Sequence, residues 1–222
     1  MDAVIKVGGS LAEMPDALKA LCTAIAKLAT KYKILIVPGG GKFADVVREY
    51  DRCFKLPPRI AHRLAIMGMD QYGIILSELI PDACLTEKLE NVNLFFKRRK
   101  IPVFLPTKLM SQEETLETSW DVTSDSIAAF IAEKIRAKKV VLVTDVDGIF
   151  AADPKQNGSA PLLMETTVQW LLLQQKRTSV DKFLPKFLLH HPVPCYVVNG
   201  KYPERIGAVL SGQRTVCTLL KL

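Results

Sequence analysis

The chain reads as an α/β protein with a mostly parallel central sheet covered by helices, and three observations predict this. Short β-rich runs alternate with longer stretches of helical periodicity. Most of those stretches are long enough to be crossover helices between parallel strands. At 222 residues and 49% hydrophobic content, the chain can also bury a large core. The expected strands are Val4 to Val7, Ile34 to Val37, Ile101 to Leu105, Val140 to Thr144 and Tyr196 to Val198. No solenoid repeat, low-complexity segment or long linker interrupts them; Pro57-Pro58 and the stretch from Lys155 to Pro161 are the only punctuation. A single domain over residues 1–222 is expected.

The first strand breaks into Gly8-Gly9-Ser10, and a helical pattern follows from about Pro15. This predicts a strand entering an anion-binding turn, where glycines let the backbone approach a phosphate and Lys6 adds a mobile positive charge. The plain alternative is a buried first strand with a tight turn. A second glycine turn, Pro38-Gly39-Gly40-Gly41-Lys42, follows the next strand, and Phe43 to Tyr50 then reads as a helix. Two such turns in one sheet can face each other and hold two anions. The second is not a Walker-type loop, because Phe43 stands where Ser or Thr is needed and no glycine lies five residues before Gly41. It also lacks the dinucleotide fingerprint.

From Arg59 to Leu79, Ala61, Leu64, Ala65, Gly68, Tyr72, Ile75, Leu76 and Leu79 recur at three and four residues, a long amphipathic helix. Arg59 and Arg63 are four apart and can reach a common anion, while His62 between them reads as a surface residue. The cluster Lys97-Arg98-Arg99-Lys100 reads as a solvated loop, since no aromatic after Phe96 interleaves for base stacking. Thr123-Ser124-Asp125-Ser126 precedes Ile127, Phe130, Ile131 and Ile135 at helical spacing, so these residues read first as helix caps. The strand Val140 to Thr144 ends in Asp145-Val146-Asp147-Gly148-Ile149-Phe150, with Asp153-Pro154 after it. Sheets of this class place ligands at such strand ends.

A net charge of +7 suits a polyanionic metabolite or nucleotide as well as nucleic acid, and does not choose between them. Five scattered cysteines without a C-x-x-C pair suggest neither a disulfide framework nor a zinc site, and point to a reducing, cytoplasmic setting. No apolar run approaches a membrane span and the amino terminus lacks a signal-peptide build, so a soluble protein is expected.

Lys6 with Gly8-Gly9-Ser10, then Gly39-Gly40-Gly41, then Thr123-Ser124-Asp125, then Thr144 to Phe150 with Asp153-Pro154 resemble the ordered signature of the amino acid kinase family. The match spans nearly the whole chain. It implies a three-layer αβα sandwich, with an acceptor-binding lobe at about 1–115 and a nucleotide-binding lobe at about 116–222. It implies ATP-dependent phosphoryl transfer to a carboxylate, carbamate or phosphate oxygen, with Mg2+ held mostly by the ATP phosphates and water. An acceptor that is already anionic needs no general base.

The resemblance implies catalytic roles for Lys6, for Asp125, which would orient the catalytic lysines, and for a second lysine. Nucleotide contacts fall on Gly8, Gly9, Ser10, Thr144, Asp145, Gly148, Phe150 and Asp153. Acceptor contacts fall on Gly40, Gly41 and Arg63, the last because it precedes Met67-Gly68-Met69 much as an arginine does in uridylate kinases. The implied partners are ATP and a small anionic metabolite, with no nucleic acid and no membrane. A homo-oligomer is expected, as in many relatives.

Two departures stand out. The second lysine usually follows a Gly-Gly-Met-type turn, but Thr178 to Lys186 has no glycine; Lys182 and Lys186 both qualify. Pro185, favoured at a first helical position, leaves Lys182 on the loop and makes it the choice. Cys217-Thr218 stands where a Gly-Thr pair is usual. The short length, the Gly-Gly-Gly-Lys-Phe-Ala-Asp turn and the segment Ser179 to Pro185 look most like a small archaeal branch of methanofuran biosynthesis, in which an aminomethylfuran phosphate becomes a diphosphate. Asp45 could meet the amine of such an acceptor. Alternatives are a kinase of uridylate, isopentenyl phosphate or acetylglutamate type, and a non-catalytic binder of ATP and oxyanions like the molybdenum storage proteins. Retention of Lys6 and Asp125 favours a kinase.

Overall fold

The computed structural model describes residues 1–113, 115–152, 160–174 and 178–221. The first half runs β1 (Ala3–Val7), α1 (Pro15–Ala29), β2 (Ile34–Pro38), α2 (Gly41–Phe54), α3 (Pro58–Leu79), β3 (Ala83–Thr86), α4 (Val92–Lys97), β4 (Ile101–Phe104) and α5 (Thr107–Met110). The second half runs α6 (Ser124–Lys134), β5 (Val140–Thr144), β6 (Ile149–Phe150), β7 (Leu162–Leu163), β8 (Glu165–Thr167), α7 (Val168–Leu173), α8 (Leu184–His190), β9 (Cys195–Asn199), α9 (Glu204–Ser211) and β10 (Thr218–Lys221).

Eight strands form one sheet in the order β3-β4-β2-β1-β5-β9-β10-β8, while β6 and β7 pair separately. From β3 to β9 all neighbours are parallel; β10 turns antiparallel to β9 and lies parallel to β8. All five expected strands form, within a residue or two of their expected ends. Strands β3, β6, β7, β8 and β10 were not expected from the sequence. They have two to four residues each, too few to show a period, and β3 and β8 lie at the sheet edges, where little apolar surface is needed.

Helices cover both faces, giving an αβα sandwich with two core layers. One layer packs Val4, Val140, Leu142 and Val197 with Phe130 of α6 and Phe187 of α8. The other packs Ile5, Val7, Val141 and Val143 with Leu21 of α1, Tyr72 of α3 and Val209 of α9. Strand β1 lies centrally and is buried at every position, so its run is apolar except at Lys6. Side chains on a strand alternate in direction, which puts Lys6 on the face of Val4, under α6. A lysine therefore occupies what would otherwise be a core position.

Helix α3 begins at Pro58, as proline's fixed φ favours. Its buried stripe is narrower than expected: Ala61, Tyr72 and Leu76 are buried, but Leu64 and Ile75 are exposed. His62 reverses the surface reading. It is buried, because the segment Ser119-Trp120 folds over the start of α3 and offers its ring a hydrogen bond.

Candidate active site

Strands β2, β1 and β5 are parallel neighbours, so their carboxyl ends share one edge of the sheet. The turn Gly8-Gly9-Ser10, the turn Gly39-Gly40-Gly41 and the loop Asp145 to Gly148 leave from those ends and meet there, where the connections diverge to opposite sides. The two glycine turns touch. A Cβ on Gly9 would sit 2.1 Å from the Gly41 nitrogen and 2.2 Å from its Cα, and Gly41 itself has φ +52°. Only glycines allow this approach. The Gly8 and Gly39 N–H groups donate to the Val143 and Val7 carbonyls, each at 2.8 Å, and fix both turns to the sheet.

Beneath the turns, Lys6 Nζ lies 2.7 Å from Asp125 Oδ1, with both side chains at most a tenth exposed. Asp125 reaches this place because Thr123 caps α6, its hydroxyl accepting from the Asp125 N–H. The cap reading thus holds for Thr123, while the Asp125 carboxylate turns inward. Asp125 Oδ2 accepts from the Asp181 N–H at 3.1 Å. The Asp181 carboxylate is buried and accepts five hydrogen bonds: from the Thr123 N–H and hydroxyl, the Ser126 N–H and hydroxyl, and the Leu184 N–H. Asp181 therefore caps α6 and α8 together. Burial and the neighbouring Asp125 charge push its carboxyl above the ordinary range, against the pull of its donors.

On the other side, Asp145 accepts from the Ser10 hydroxyl at 3.0 Å and the Thr144 hydroxyl at 3.1 Å. Burial alone would raise its pKa, but these bonds and the charge of Lys201 bring it below the usual carboxylate value. Asp147 is lowered in the same way, with Arg205 and Asn199 overcoming burial. Gly148 has φ +154° and its carbonyl accepts from Ser179 Oγ at 2.9 Å. Thr218, the retained half of the usual Gly-Thr pair, accepts from the Ile149 N–H and donates to the Leu163 carbonyl, joining β6 to the strand after it.

Part of this set lines one cavity of about 970 Å3, whose lining does not include Gly39, Asp147, Asp181, Arg205 or Thr218. Of the expected residues, Lys6, Gly8, Gly9, Ser10, Gly40, Gly41, Asp125, Thr144, Asp145, Gly148 and Phe150 line it, and so does Asp45. Asp153 lies outside the described residues. Arg63 and Lys182 do not line it: Arg63 faces solvent from α3, and Lys182 Nζ lies 3.7 Å from Asp121 on the surface. The guanidinium that does line the cavity is Arg48, on α2. It bonds Asp45 at 2.8 Å and lies over the Trp120 ring, 4.7 Å from its centre, while Trp120 Nε1 donates to Asp51.

Arg48, Trp120, Trp170 and Asp181 were not singled out as site residues from sequence, and His62 was read as a surface residue. The spacing Asp45, Arg48, Asp51 would place three charges along one side of a helix, a signal that was available. Asp181 stands three residues before the Leu184 N–H it accepts, the offset of a capping side chain. The two tryptophans carry no such signal. Among the described residues, no group of three or more His, Cys, Asp or Glu could hold a metal ion, and no helix is long and apolar enough to cross a membrane.

The amino acid kinase family model matches residues 1–183. The chain is 34% identical over 216 residues to a [5-(aminomethyl)furan-3-yl]methyl phosphate kinase of Methanocaldococcus jannaschii, covering 97% of this chain and 95% of that one. It is 28% identical over 230 residues to a uridylate kinase of Thermococcus kodakarensis, covering 97% of each. Its fold is similar to the crystal structure of uridylate kinase from Archaeoglobus fulgidus, with a TM-score of 0.78 at 23% identity over the full length of both chains. With the ordered motifs gathered at one sheet edge, and the family model covering most of the sequence, this chain belongs to the amino acid kinase family and is a kinase.

Proposed function

We propose that the protein transfers the γ-phosphoryl group of ATP to the phosphate of an aminomethylfuran methyl phosphate, giving the diphosphate and ADP. One observation carries the phosphoryl-transfer part: a buried lysine, neutralised by Asp125, lies where two glycine turns touch, in a cavity large enough for two phosphorylated ligands. The full-length relative from Methanocaldococcus jannaschii supports the acceptor. In this reading an acceptor phosphate oxygen bonds to the γ-phosphorus as the bond to the β,γ-bridging oxygen breaks. Lys6 and the Gly8 and Gly9 amides stabilise charge on the moving group, and Asp125 orients Lys6. Lys182, held only by a solvent-exposed pair with Asp121, is the second lysine.

The nucleotide lies on the carboxy-terminal side, about 116–222, and against Ser10, Thr144, Asp145, Gly148 and Phe150, with Trp170 beside the base. The acceptor lies on the amino-terminal side, about 1–115, against Gly40 and Gly41, with Arg48 supplying the cation first sought at Arg63. Mg2+ suits this site, since the Asp145 carboxylate lines it beside the Gly8-Gly9-Ser10 turn and Mg2+ takes few protein ligands beside phosphates. When bound, the ion would neutralise ATP phosphate charge. Five free cysteines suit a reducing cytoplasm. Exposed Tyr50 and Phe54 of α2 with Ile60 and Met67 of α3 form apolar surface that a second copy would cover; light scattering on the purified protein tests the dimer.

The assay is ADP release at equal concentrations of the aminomethylfuran phosphate, its alcohol, UMP and N-acetylglutamate. The reading expects the highest kcat/KM with the furan phosphate. UMP winning would favour the uridylate reading, which the Thermococcus kodakarensis relative supports.

A further inference from the structure

We propose that His62 is a specificity-determining residue whose Nε2 accepts a hydrogen bond from the ammonium group at the end of the acceptor opposite its phosphate; this rests on the acceptor reading above. His62 is about nine-tenths buried and lines the cavity. Its Nδ1 lies 3.1 Å from the Ser119 carbonyl oxygen. A carbonyl only accepts, so Nδ1 carries the proton, and in the neutral ring Nε2 is left as a lone-pair acceptor. Among the described residues, nothing donates to Nε2. Burial lowers the ring's pKa from 6.5, with the Ser119 carbonyl pulling the other way, so the neutral form is the one present near pH 7.

This fixed tautomer decides what the ring can meet. A phosphate oxygen against Nε2 would set two acceptors face to face, so His62 is unsuited to the acceptor's phosphate. An N–H donor satisfies it. The cavity is therefore polarised: Lys6 and the glycine amides favour an anion at one place, and a neutral imidazole acceptor favours a donor at another. An ammonium beside the ring would also oppose its protonation and keep the tautomer in place. Asp45 and Arg48 bond each other at 2.8 Å and offset one another, so the preference for a donor at this place rests on His62 Nε2.

The test compares kcat/KM for the aminomethylfuran phosphate and for the analogue bearing a methyl group in place of the aminomethyl, in wild type, His62→Gln and His62→Phe. Wild type should prefer the amine by about tenfold or more, because the analogue displaces water from Nε2 and leaves that acceptor unpaired. His62→Phe, which keeps a ring but no acceptor, should bring the two substrates to within about twofold of each other. His62→Gln, whose amide oxygen can accept, should keep part of the preference and also serves if His62→Phe does not fold. An undiminished preference in both variants, or no preference in wild type, would overturn the inference while leaving the acceptor reading intact. Wild type turning over neither furan would overturn the acceptor reading, and the inference with it.

Discussion

The Asp181 N–H donates to Asp125 Oδ2 at 3.1 Å, while Asp125 Oδ1 holds Lys6. One carboxylate thus ties the central strand to the loop that opens α8. The Asp181 side chain fixes that loop by accepting from Thr123, Ser126 and Leu184. In Asp181→Asn, one carboxylate oxygen becomes an NH2 that faces N–H and O–H groups, so at least one buried donor loses its acceptor. At about 1–3 kcal/mol per unsatisfied group, a loss of roughly 3 kcal/mol is expected in urea unfolding. A fall in kcat should accompany it, since the Asp125 anchor moves. A variant as stable as wild type would mean the five bonds contribute nothing.

In the proposed mechanism Lys6 both meets the moving phosphoryl group and neutralises Asp125, and its removal should show both. As a transition-state donor its loss should lower kcat by about two to three orders of magnitude. As the partner of a buried carboxylate, its loss should also destabilise the fold by roughly 3–5 kcal/mol, because Asp125 is left uncompensated. Combining Lys6→Met with Asp125→Asn removes both charges and should recover much of the stability but none of the activity. Activity in the double variant would show that neither group serves the chemistry.

Much of this site was legible because its chemistry interrupts regular patterns. Lys6 breaks an otherwise apolar strand, and two glycine turns follow strands directly, so their convergence follows once the strands are parallel neighbours. His62 and Arg48 were not legible, since helical periodicity identifies a face but not what folds over it. The burial of His62 depends on the segment at Ser119, 57 residues further along. Arg63 looked the better phosphate ligand by sequence position, yet helix α3 directs it to solvent, and the guanidinium in the cavity lining is that of Arg48 on α2.

The glycine contact makes a sharp demand. A Cβ at Gly9 would overlap the Gly41 backbone, which cannot yield as a flexible side chain would. Gly9→Ala should therefore separate the two turns, lowering thermal stability and raising KM for the acceptor at least as much as for ATP. Unchanged kinetics for both substrates would argue against the turns as a joint anion site.

The lowered pKa of His62 fixes the sign of a pH effect on stability. The native ring takes up its proton at lower pH than the unfolded chain does, near 6.5. Between those two values the unfolded state binds more protons, so stability rises with pH there and falls on acidification. The contribution is at most about 1.4 kcal/mol per pH unit. Urea unfolding of wild type and His62→Gln at pH 5.5 and 7.5 should show a steeper loss in wild type; parallel losses would assign the acid sensitivity elsewhere.

Lys182 and Lys186 can be separated by activity because neither is held by the fold. Lys186 Nζ lies 2.5 Å from Glu117 and Lys182 Nζ lies 3.7 Å from Asp121, and all four side chains are about half exposed. Exposed pairs of this kind contribute about 0–1 kcal/mol, so either lysine can leave its partner at little cost. Their backbones differ. Helix α8 starts at Leu184 with Pro185 in its first turn, which fixes Lys186 within the helix, while Lys182 follows Asp181 directly on the loop anchored to Asp125. To act as the proposed second lysine, Lys182 has to leave Asp121 and turn toward the cavity. Lys182→Ala should then lower kcat by about tenfold to a hundredfold, with stability within about 0.5 kcal/mol of wild type. Lys186→Ala should change neither. The reverse outcome would assign the second catalytic lysine to the helix, and two silent variants would leave Lys6 and Arg48 as the cations that meet the phosphates.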